Sequence, residues 1–198
     1  MLVPMVVEQT NQGERAFDIY SRLLRDRIIM LCTAINSDVA SLVTSQLLYL
    51  ESQDSKFPVW MYIQSPGGVI SAGLAIIDTM NLIACPVYTV CMGSAASMGA
   101  MILACGDRGH RYILPNAEVM IHQPSGGTSG QETDIQIAAA RIHRMKEKMN
   151  ALLAQQTGQP EETIKRDVER DFWMTADEAK AYGMVDAILT SRSVYHSD

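Results

Sequence analysis

The sequence has little of what marks a protein that binds nucleic acid or crosses a membrane. Basic residues are not in excess, because 16 Lys and Arg stand against 22 Asp and Glu, for a net charge of -6. No long run of either sign offers a surface for phosphate groups. No segment approaches the roughly 18 apolar residues that span a bilayer. We therefore expect neither nucleic acid nor a membrane among the partners of this chain.

Cysteine is scarce and lacks any pattern of disulfide or metal sites. The four cysteines are Cys32, Cys85, Cys91 and Cys105. None of them belongs to a CxxC pair or has a histidine at the sequence spacing typical of metal ligands. We interpret them as reduced core residues of a cytosolic protein. The first residues also lack the basic flank, apolar stretch and cleavage site of a signal peptide. The sequence thus predicts a cytoplasmic protein without a metal site.

Apolar runs alternate with helical patterns along the chain, and no internal repeat or low-complexity linker divides them. With 198 residues, the chain suits one domain with a proper core. Strands are predicted at 27–32, 59–64, 86–91, 111–114, 118–122 and 184–189. Helices are predicted at 37–53, 69–83, 97–105, 132–156, 161–169 and 175–182. This alternation predicts an α/β domain built by crossover connections.

The predicted helix 132–156 carries an apolar seam that must be buried against something. Its apolar residues alternate spacings of three and four, and they are Ile135, Ala138, Ile142, Met145, Met149 and Leu152. The seam fits a helix that packs on its own domain. It fits equally a helix that projects into a neighbouring subunit, and length alone does not separate the two.

Ser97 is the first candidate for a reactive residue. The segment 90–105 runs from a strand through small residues into an apolar helix, so Ser97 falls at the helix start. A serine at such a turn exposes its hydroxyl, and the positive end of the helix favours developing negative charge. The alternative is an ordinary helix-capping serine. The segment by itself leaves both interpretations open.

A glycine pair and one histidine are further candidates. Gly67 and Gly68 join a strand to a helix, where backbone amides could approach a ligand closely, although a simple turn would use the same residues. Of four histidines, His122 ends a predicted strand and could act as a general base, or it could be structural. Sequence spacing does not choose an acid to orient it, because such residues meet only in space.

Four short motifs together resemble the Clp protease family of serine peptidases. They occur in the order and at about the distances found in that family, and they are Gln64–Val69, Cys91–Gly99, Val119–Pro124 and Glu169–Asp171. The resemblance covers nearly the whole chain. It implies a triad of Ser97 as nucleophile, His122 as base and Asp171 as the orienting carboxylate.

The resemblance also implies the remainder of the catalytic site. The backbone amides of Gly68 and Met98 would bind the oxyanion of the tetrahedral intermediate. The edge formed by Ser125, Gly126 and Gly127 would line the cleft and pair with extended substrate. The family chemistry requires no metal and no organic cofactor.

The family fold is a crotonase-type superhelix of β-β-α units with a protruding long handle helix. Carried onto this chain, the resemblance implies a single domain over 1–198, with 1–18 as an N-terminal axial segment and 132–156 as the handle. The subunits would form two stacked seven-membered rings, a tetradecamer that degrades unfolded proteins and short peptides. A hexameric AAA+ ATPase would unfold substrates, and its docking candidates here are Trp60, Tyr62, Tyr112 and Leu189, which could equally be buried core residues.

Several residues depart from the family pattern. Gln64 replaces the usual asparagine, Ser125 replaces leucine beside the cleft, and the segment 32–34 lacks the usual glycine. These departures leave the cleavage preference open and make a second, paralogous ring subunit a candidate partner.

Two other functions compete with the peptidase. An acyl-CoA hydratase or isomerase on the same fold would use glutamates beside the oxyanion amides, yet no acidic residue follows the 93–99 turn until Asp107. A silent structural subunit would not need Ser97, His122 and Asp171, all of which are present.

Overall fold

The computed structural model describes residues 2–11, 13–125 and 129–190. The strands in this part of the chain are β1 Met5–Thr10, β2 Gly13–Asp18, β3 Ile28–Leu31, β4 Val59–Ser65, β5 Val87–Ala96, β6 Arg111–Ile113, β7 Glu118–Ile121, β8 Phe172–Met174 and β9 Ala187–Ile188. The helices are α1 Ile19–Arg25, α2 Ser37–Gln53, α3 Ile70–Leu82, α4 Met98–Ala104, α5 Glu132–Thr157, α6 Glu161–Asp167 and α7 Ala176–Tyr182. Every helix in these ranges is too short or too polar to cross a lipid bilayer.

A mostly parallel sheet forms the centre of the fold. Its strands lie in the order β3-β4-β5-β6-β9, all neighbours being parallel, with β7 pairing to β5 and the short β8 pairing antiparallel to β7. The strands β1 and β2 form a separate antiparallel hairpin. The helices α2 and α3 supply crossovers between parallel strands, as such pairing requires. The predicted α/β class is confirmed, and the finer superhelix of β-β-α units stays a prediction.

The long strand β5 pairs with β6 in its first half and with β7 in its second half. Its segment 89–91 pairs with β6, whereas its segment 94–96 pairs with β7. The chain then passes directly into α4, all seven of whose residues are buried. A helix that is apolar on every side belongs in a core. The turn between β5 and α4 is therefore held from both ends by buried structure.

The predicted elements match the structure within a few residues, with some exceptions. The strand predicted at 86–91 continues to Ala96, and the one predicted at 184–189 shrinks to two residues. The hairpin, α1 and β8 were not predicted. In α1 no residue is fully buried, although Leu24 packs partly buried against the main core. The helix begins at Ile19 because the Asp18 carboxylate accepts hydrogen bonds from the Tyr20 and Ser21 amides.

The long helix α5 divides into a buried and an exposed half. Its C-terminal half packs on the rest of the chain through Met149, Asn150 and Leu153, and Gly158 ends it in the left-handed conformation. In the N-terminal half, Ile135 is 42% exposed and Ile137 is 62% exposed. Only part of the predicted apolar seam is therefore used within one chain.

The cysteines correct one prediction. All four are free thiols, and Cys85, Cys91 and Cys105 are buried as expected. Burial raises the pKa of Cys91 and of Cys105 to about 12. Cys32, however, is exposed, because it follows the last residue of β3 and no longer faces the core.

Candidate active site

Ser97 stands at a strained turn between β5 and α4. Its backbone has φ 56 and ψ -121, a positive φ that side-chain-bearing residues seldom adopt. The turn is fixed by a 2.9 Å hydrogen bond that the Ser97 amide donates to the Met120 carbonyl. Such strain costs on the order of 1–3 kcal/mol and is concentrated at functional sites. The Ser97 side chain makes no capping hydrogen bond to α4, which argues against the simple helix-cap interpretation.

The hydroxyl of Ser97 begins a chain of two hydrogen bonds. It lies 2.9 Å from Nε2 of His122, and Nδ1 of the same ring lies 3.0 Å from Oδ1 of Asp171. In the tautomer protonated at Nδ1, the ring donates to the carboxylate and accepts the serine proton at Nε2. Sequence reasoning from spacing did not identify the acid, and the structure brings Asp171 to His122 although the two lie 49 positions apart in the sequence. This arrangement can activate an oxygen nucleophile.

The acid of this chain of hydrogen bonds is open to water. The side chain of His122 is 27% exposed, while that of Asp171 is 63% exposed. Asp171 lies between α6 and β8, directly before the first residue of the strand. Water screens the attraction between an exposed carboxylate and an imidazolium. Anything that covered this edge and excluded water would strengthen the attraction between the Asp171 carboxylate and an imidazolium at His122.

The glycine pair lies against the turn that carries Ser97. Gly67 has φ 90, and a Cβ there would approach Ser97 Cβ to 2.6 Å and the Met98 amide nitrogen to 2.9 Å. Gly68 has φ 152, and a Cβ there would meet the Ile35 carbonyl oxygen at 2.1 Å. The two predicted oxyanion donors, Gly68 and Met98, thus belong to segments in direct contact. The sequence analysis singled out Gly67 only as one of a glycine pair, and the structure shows that the absence of its side chain permits that contact.

A polar network missed from the sequence holds the segment before Asp171. Nζ of Lys146, on α5, lies 2.5 Å from Oε1 of Glu169 and 2.9 Å from Oε1 of Gln123. The Gln123 side chain donates in turn to the Glu169 carbonyl at 3.2 Å. The hydrogen bond and charge of Lys146 lower the pKa of Glu169. Because Gln123 follows His122 and Glu169 precedes Asp171 by two residues, the network ties both triad segments to α5.

A groove of about 930 Å³ separates the exposed half of α5 from the Gly68 turn. Gly68 and the predicted cleft residue Ser125 both line it, together with the apolar side chains Ile137 and Ile142 of the helix. Gly126 and Gly127, the other two predicted cleft residues, lie outside the described residues. A second cavity, of about 30 Å³, adjoins Ser97 and His122. The groove is large enough to take several residues of an extended peptide.

The four predicted docking residues lie together in a small apolar cluster apart from the main core. Tyr112 and Leu189 are buried in it, and Trp60 and Tyr62 pack against it as half-buried side chains. The rings of Trp60 and Tyr112 stack with centroids 5.8 Å apart. The structure groups these residues, and their part in docking stays a prediction.

The other two histidines among the described residues, His110 and His143, lie away from this hydrogen-bond chain. His143 pairs with Glu147 on the exposed face of α5, and the His110 ring stacks on Tyr88 at 4.0 Å. Among residues 2–11, 13–125 and 129–190, no group of three or more His, Cys, Asp and Glu side chains is arranged to hold a metal ion.

Comparison with known families gives one finding. The sequence model of the family described as Clp protease matches residues 11–192 of the 198. The match spans the hydrogen-bond chain, the glycine turn and the whole of α5.

Proposed function

Because the chain belongs to the Clp protease family, we propose that it is the serine endopeptidase subunit of a barrel-shaped, ATP-dependent protease. The family consists of peptidases that assemble into rings with ATPase partners. The observation that carries the proposal for this chain is the hydrogen-bond chain from the Ser97 hydroxyl through His122 to Asp171, with distances of 2.9 and 3.0 Å.

The proposed mechanism is acyl transfer through a covalent intermediate. His122 accepts the proton of Ser97 as the serine oxygen attacks the peptide carbonyl, and Asp171 stabilises the imidazolium that forms. The backbone amides of Gly68 and Met98 hold the oxyanion. His122 then donates its proton to the departing amine, which leaves an ester on Ser97. Water, deprotonated by the same ring, cleaves that ester and restores the serine, with no metal or organic cofactor.

The two competing functions receive less support. A hydratase or isomerase would need a carboxylate beside the oxyanion amides, and the segment between Gly93 and Gly99 contains none. A silent structural subunit would have no need for the aligned distances at His122 or for the strained backbone of Ser97.

The assembly is part of the same proposal. The exposed apolar residues Ile135 and Ile137 suit a handle over 132–156 that is buried between two stacked seven-membered rings, since an apolar face of this kind favours association. The chain would act as a single domain over 1–198, with 1–18 at the ring axis. The partners are a hexameric AAA+ ATPase at the cluster around Tyr112, unfolded protein substrates in the cytoplasm, and in mixed rings a paralogous subunit.

A fluorophosphonate probe tests the catalytic half of the proposal. We expect it to label wild-type protein on Ser97, identified by peptide mapping, and to abolish hydrolysis of short fluorogenic peptides. Ser97→Ala should lose both labelling and hydrolysis while its thermal unfolding stays like that of the wild type, because only one hydroxyl is removed. Hydrolysis retained by Ser97→Ala would remove Ser97 from the mechanism.

Native mass spectrometry and a digestion assay test the assembly. We expect particles of seven or fourteen subunits that cleave peptides and unfolded chains but leave a stably folded protein intact unless an ATPase is added. An active monomer, or rapid digestion of a folded protein without ATPase, would contradict the compartment while leaving the triad standing.

A further inference from the structure

Arg141 is a basic residue of α5 that the proposed mechanism leaves unused. It lines the groove of about 930 Å³ between the exposed half of α5 and the Gly68 turn. Its side chain is exposed, and among the described residues its guanidinium has neither an ion pair nor a hydrogen bond. Lys146, on the same helix, is instead held by Glu169 at 2.5 Å. Arg141 is therefore a cation that is available to a ligand in the groove.

The charges along the groove are few and well separated. Of the described residues that line it, only Arg141 and Asp134 carry a charge. They lie seven positions apart on α5, which is about 10 Å along a helix axis. This separation exceeds the screening length of about 8 Å at physiological ionic strength. Asp134 therefore does not neutralise the field of Arg141.

The wall that faces α5 does not oppose Arg141. It is built from the segments 34–36 and 68–71, which contain no charged side chain. The helix α3 begins in this wall at Ile70, and the positive end of a helix favours negative charge, as Arg141 itself does. The groove thus favours a negatively charged group beside Arg141.

The groove leads directly to the nucleophile. Ile70 and Pro124 line both the groove and the small cavity that adjoins Ser97. Arg141 precedes Met149, which also lines the small cavity, by eight positions, or about 12 Å along a helix axis. An extended peptide advances about 3.3 Å per residue, so this span corresponds to three or four residues, roughly. A peptide that reaches Ser97 through the groove therefore passes Arg141.

We propose that Arg141 selects an acidic side chain, glutamate or aspartate, at a substrate position within about four residues of the bond that Ser97 cleaves. The inference rests on the proposed peptidase function and adds a substrate preference to it. A guanidinium can donate two parallel hydrogen bonds to one carboxylate, and it repels a lysine at the same place. Because the site is open to water, the preference is graded and not absolute.

The test measures charge preference along the substrate. Internally quenched peptides share one neutral sequence, and a single residue at each of several positions on either side of the cleaved bond is glutamate or lysine. Mass spectrometry identifies the cleaved bond, and the assay uses the assembled full-length protein. At one position at least, we expect Arg141→Gln to lower the glutamate-to-lysine ratio of kcat/KM about fivefold. Arg141→Glu should lower it further, because attraction becomes repulsion.

Arg144→Glu is the matched control for Arg141→Glu. Arg144 is exposed on the same helix and undergoes the same change of charge, but it does not line the groove. We expect the ratio to stay within twofold of the wild type in this variant. An equal fall in Arg144→Glu would assign the preference to the general field of the protein and overturn the role of Arg141.

Two further outcomes separate this inference from the proposed function. A ratio unchanged at every position in both Arg141 variants contradicts the inference, while labelling of Ser97 and hydrolysis of the peptides keep the proposed function. A wild-type protein that neither labels nor cleaves overturns both.

If native mass spectrometry shows that the Arg141 variants do not assemble, the wild type still decides. Glutamate and glutamine have the same shape and differ in charge. At one position we expect kcat/KM to be about threefold higher for glutamate at low salt, and the difference to vanish at 1 M salt, where the screening length is about 3 Å. Equal values at every position, or a preference that 1 M salt leaves undiminished, would rule out selection by an exposed arginine.

Discussion

Two of the pairs that join a histidine or arginine side chain to a carboxylate, His122 with Asp171 and Arg111 with Asp186, are built differently. In the first, His122 contacts Asp171 by one hydrogen bond of 3.0 Å, with side chains 27% and 63% exposed. In the second, Arg111 contacts Asp186 by two, of 3.0 and 2.6 Å, and the Arg111 side chain is only 6% exposed. The first pair lies at an open edge and the second inside the fold.

The surroundings of the second pair are saturated with hydrogen bonds. The Arg111 guanidinium also donates to the Ala104 carbonyl at 3.3 Å and to the Gln156 carbonyl at 2.9 Å, at the ends of α4 and α5. Asp186 accepts from the Gly109 and Arg111 amides. Burial alone would raise the pKa of Asp186, but the hydrogen bonds and charge of Arg111 outweigh burial and lower it.

The difference separates a pair suited to catalysis from a pair suited to holding the fold together. In the proposed mechanism His122 gains and loses a proton in each cycle, so it needs a partner that orients it and access to water and substrate. Arg111 is a buried guanidinium, and its position is stable only while its counter-charge and its carbonyl acceptors stay in place. Removing the carboxylate of Asp171 should therefore lower activity, whereas removing that of Asp186 should lower folding stability.

The largest effect is expected from Asp171→Asn. An asparagine favours the wrong imidazole tautomer, and in serine peptidases with a buried acid this lowers kcat roughly 10⁴-fold. Because Asp171 is largely exposed, we expect a loss of about 10²- to 10⁴-fold here, with little change in thermal unfolding. Steady-state peptide hydrolysis measures the loss in kcat, and calorimetry measures thermal unfolding. Near-wild-type hydrolysis would assign the orienting role to another group.

Asp186→Asn should show the opposite pattern. The variant leaves the buried Arg111 without its counter-charge, which lowers the free energy of unfolding by about 3 kcal/mol, while kcat per folded molecule stays near the wild-type value. Urea denaturation measures the loss. Glu162→Gln is the matched control, because it breaks an exposed ion pair with Lys165 and should leave the free energy of unfolding close to the wild-type value.

The same pair predicts a dependence on pH with a definite sign. The pKa of Asp186 is lower in the folded protein than in the unfolded chain, so its contribution to stability is fully present above the unfolded value, about 3.9. The contribution is lost as the pH falls through the lower, folded value. The stability gap between wild type and Asp186→Asn should therefore narrow below about pH 4. A difference in stability between wild type and Asp186→Asn that stayed constant with pH would mean that the charge of the Asp186 carboxylate is not what stabilises the fold.

The sequence predicted the parts of the molecule that depend on local pattern. The helices other than α1, and most strands, follow from periodicity, and Ser97 follows from the change of strand into apolar helix. Asp171 came only from the resemblance, because an exposed acid between two short elements carries no local signal. Lys146 was missed for a similar reason: which residues of α5 meet the rest of the chain depends on what packs against it, and of the predicted seam Met149 is buried while Leu152 is partly buried.

The smallest effect is expected from a change at Lys146. It tests what holds the exposed carboxylate of Asp171 in place. The triad acid is not fixed by burial, so the network through Glu169 and Gln123 is the feature that steadies its segment. We expect Lys146→Met to lower kcat about threefold, with little change in the free energy of unfolding, since the ion pair is partly exposed. Lys148→Met, on the same helix with the same change of charge, is the matched control and should stay near the wild type.

A variant of the partner carboxylate separates two explanations for such a loss. If Lys146 acts by holding the segment before Asp171 through Glu169, Glu169→Gln should lower kcat by a similar factor, and the double variant should lose little more than either single variant. If Lys146 acted only through its positive charge, removing the negative charge of Glu169 would not reproduce the loss. We expect the shared loss, and we expect it to shrink at 1 M salt, where the screening length falls to about 3 Å. No loss in Glu169→Gln would mean that the network does not position the acid, and that the contacts of β8 with β7 hold Asp171 without help from α5.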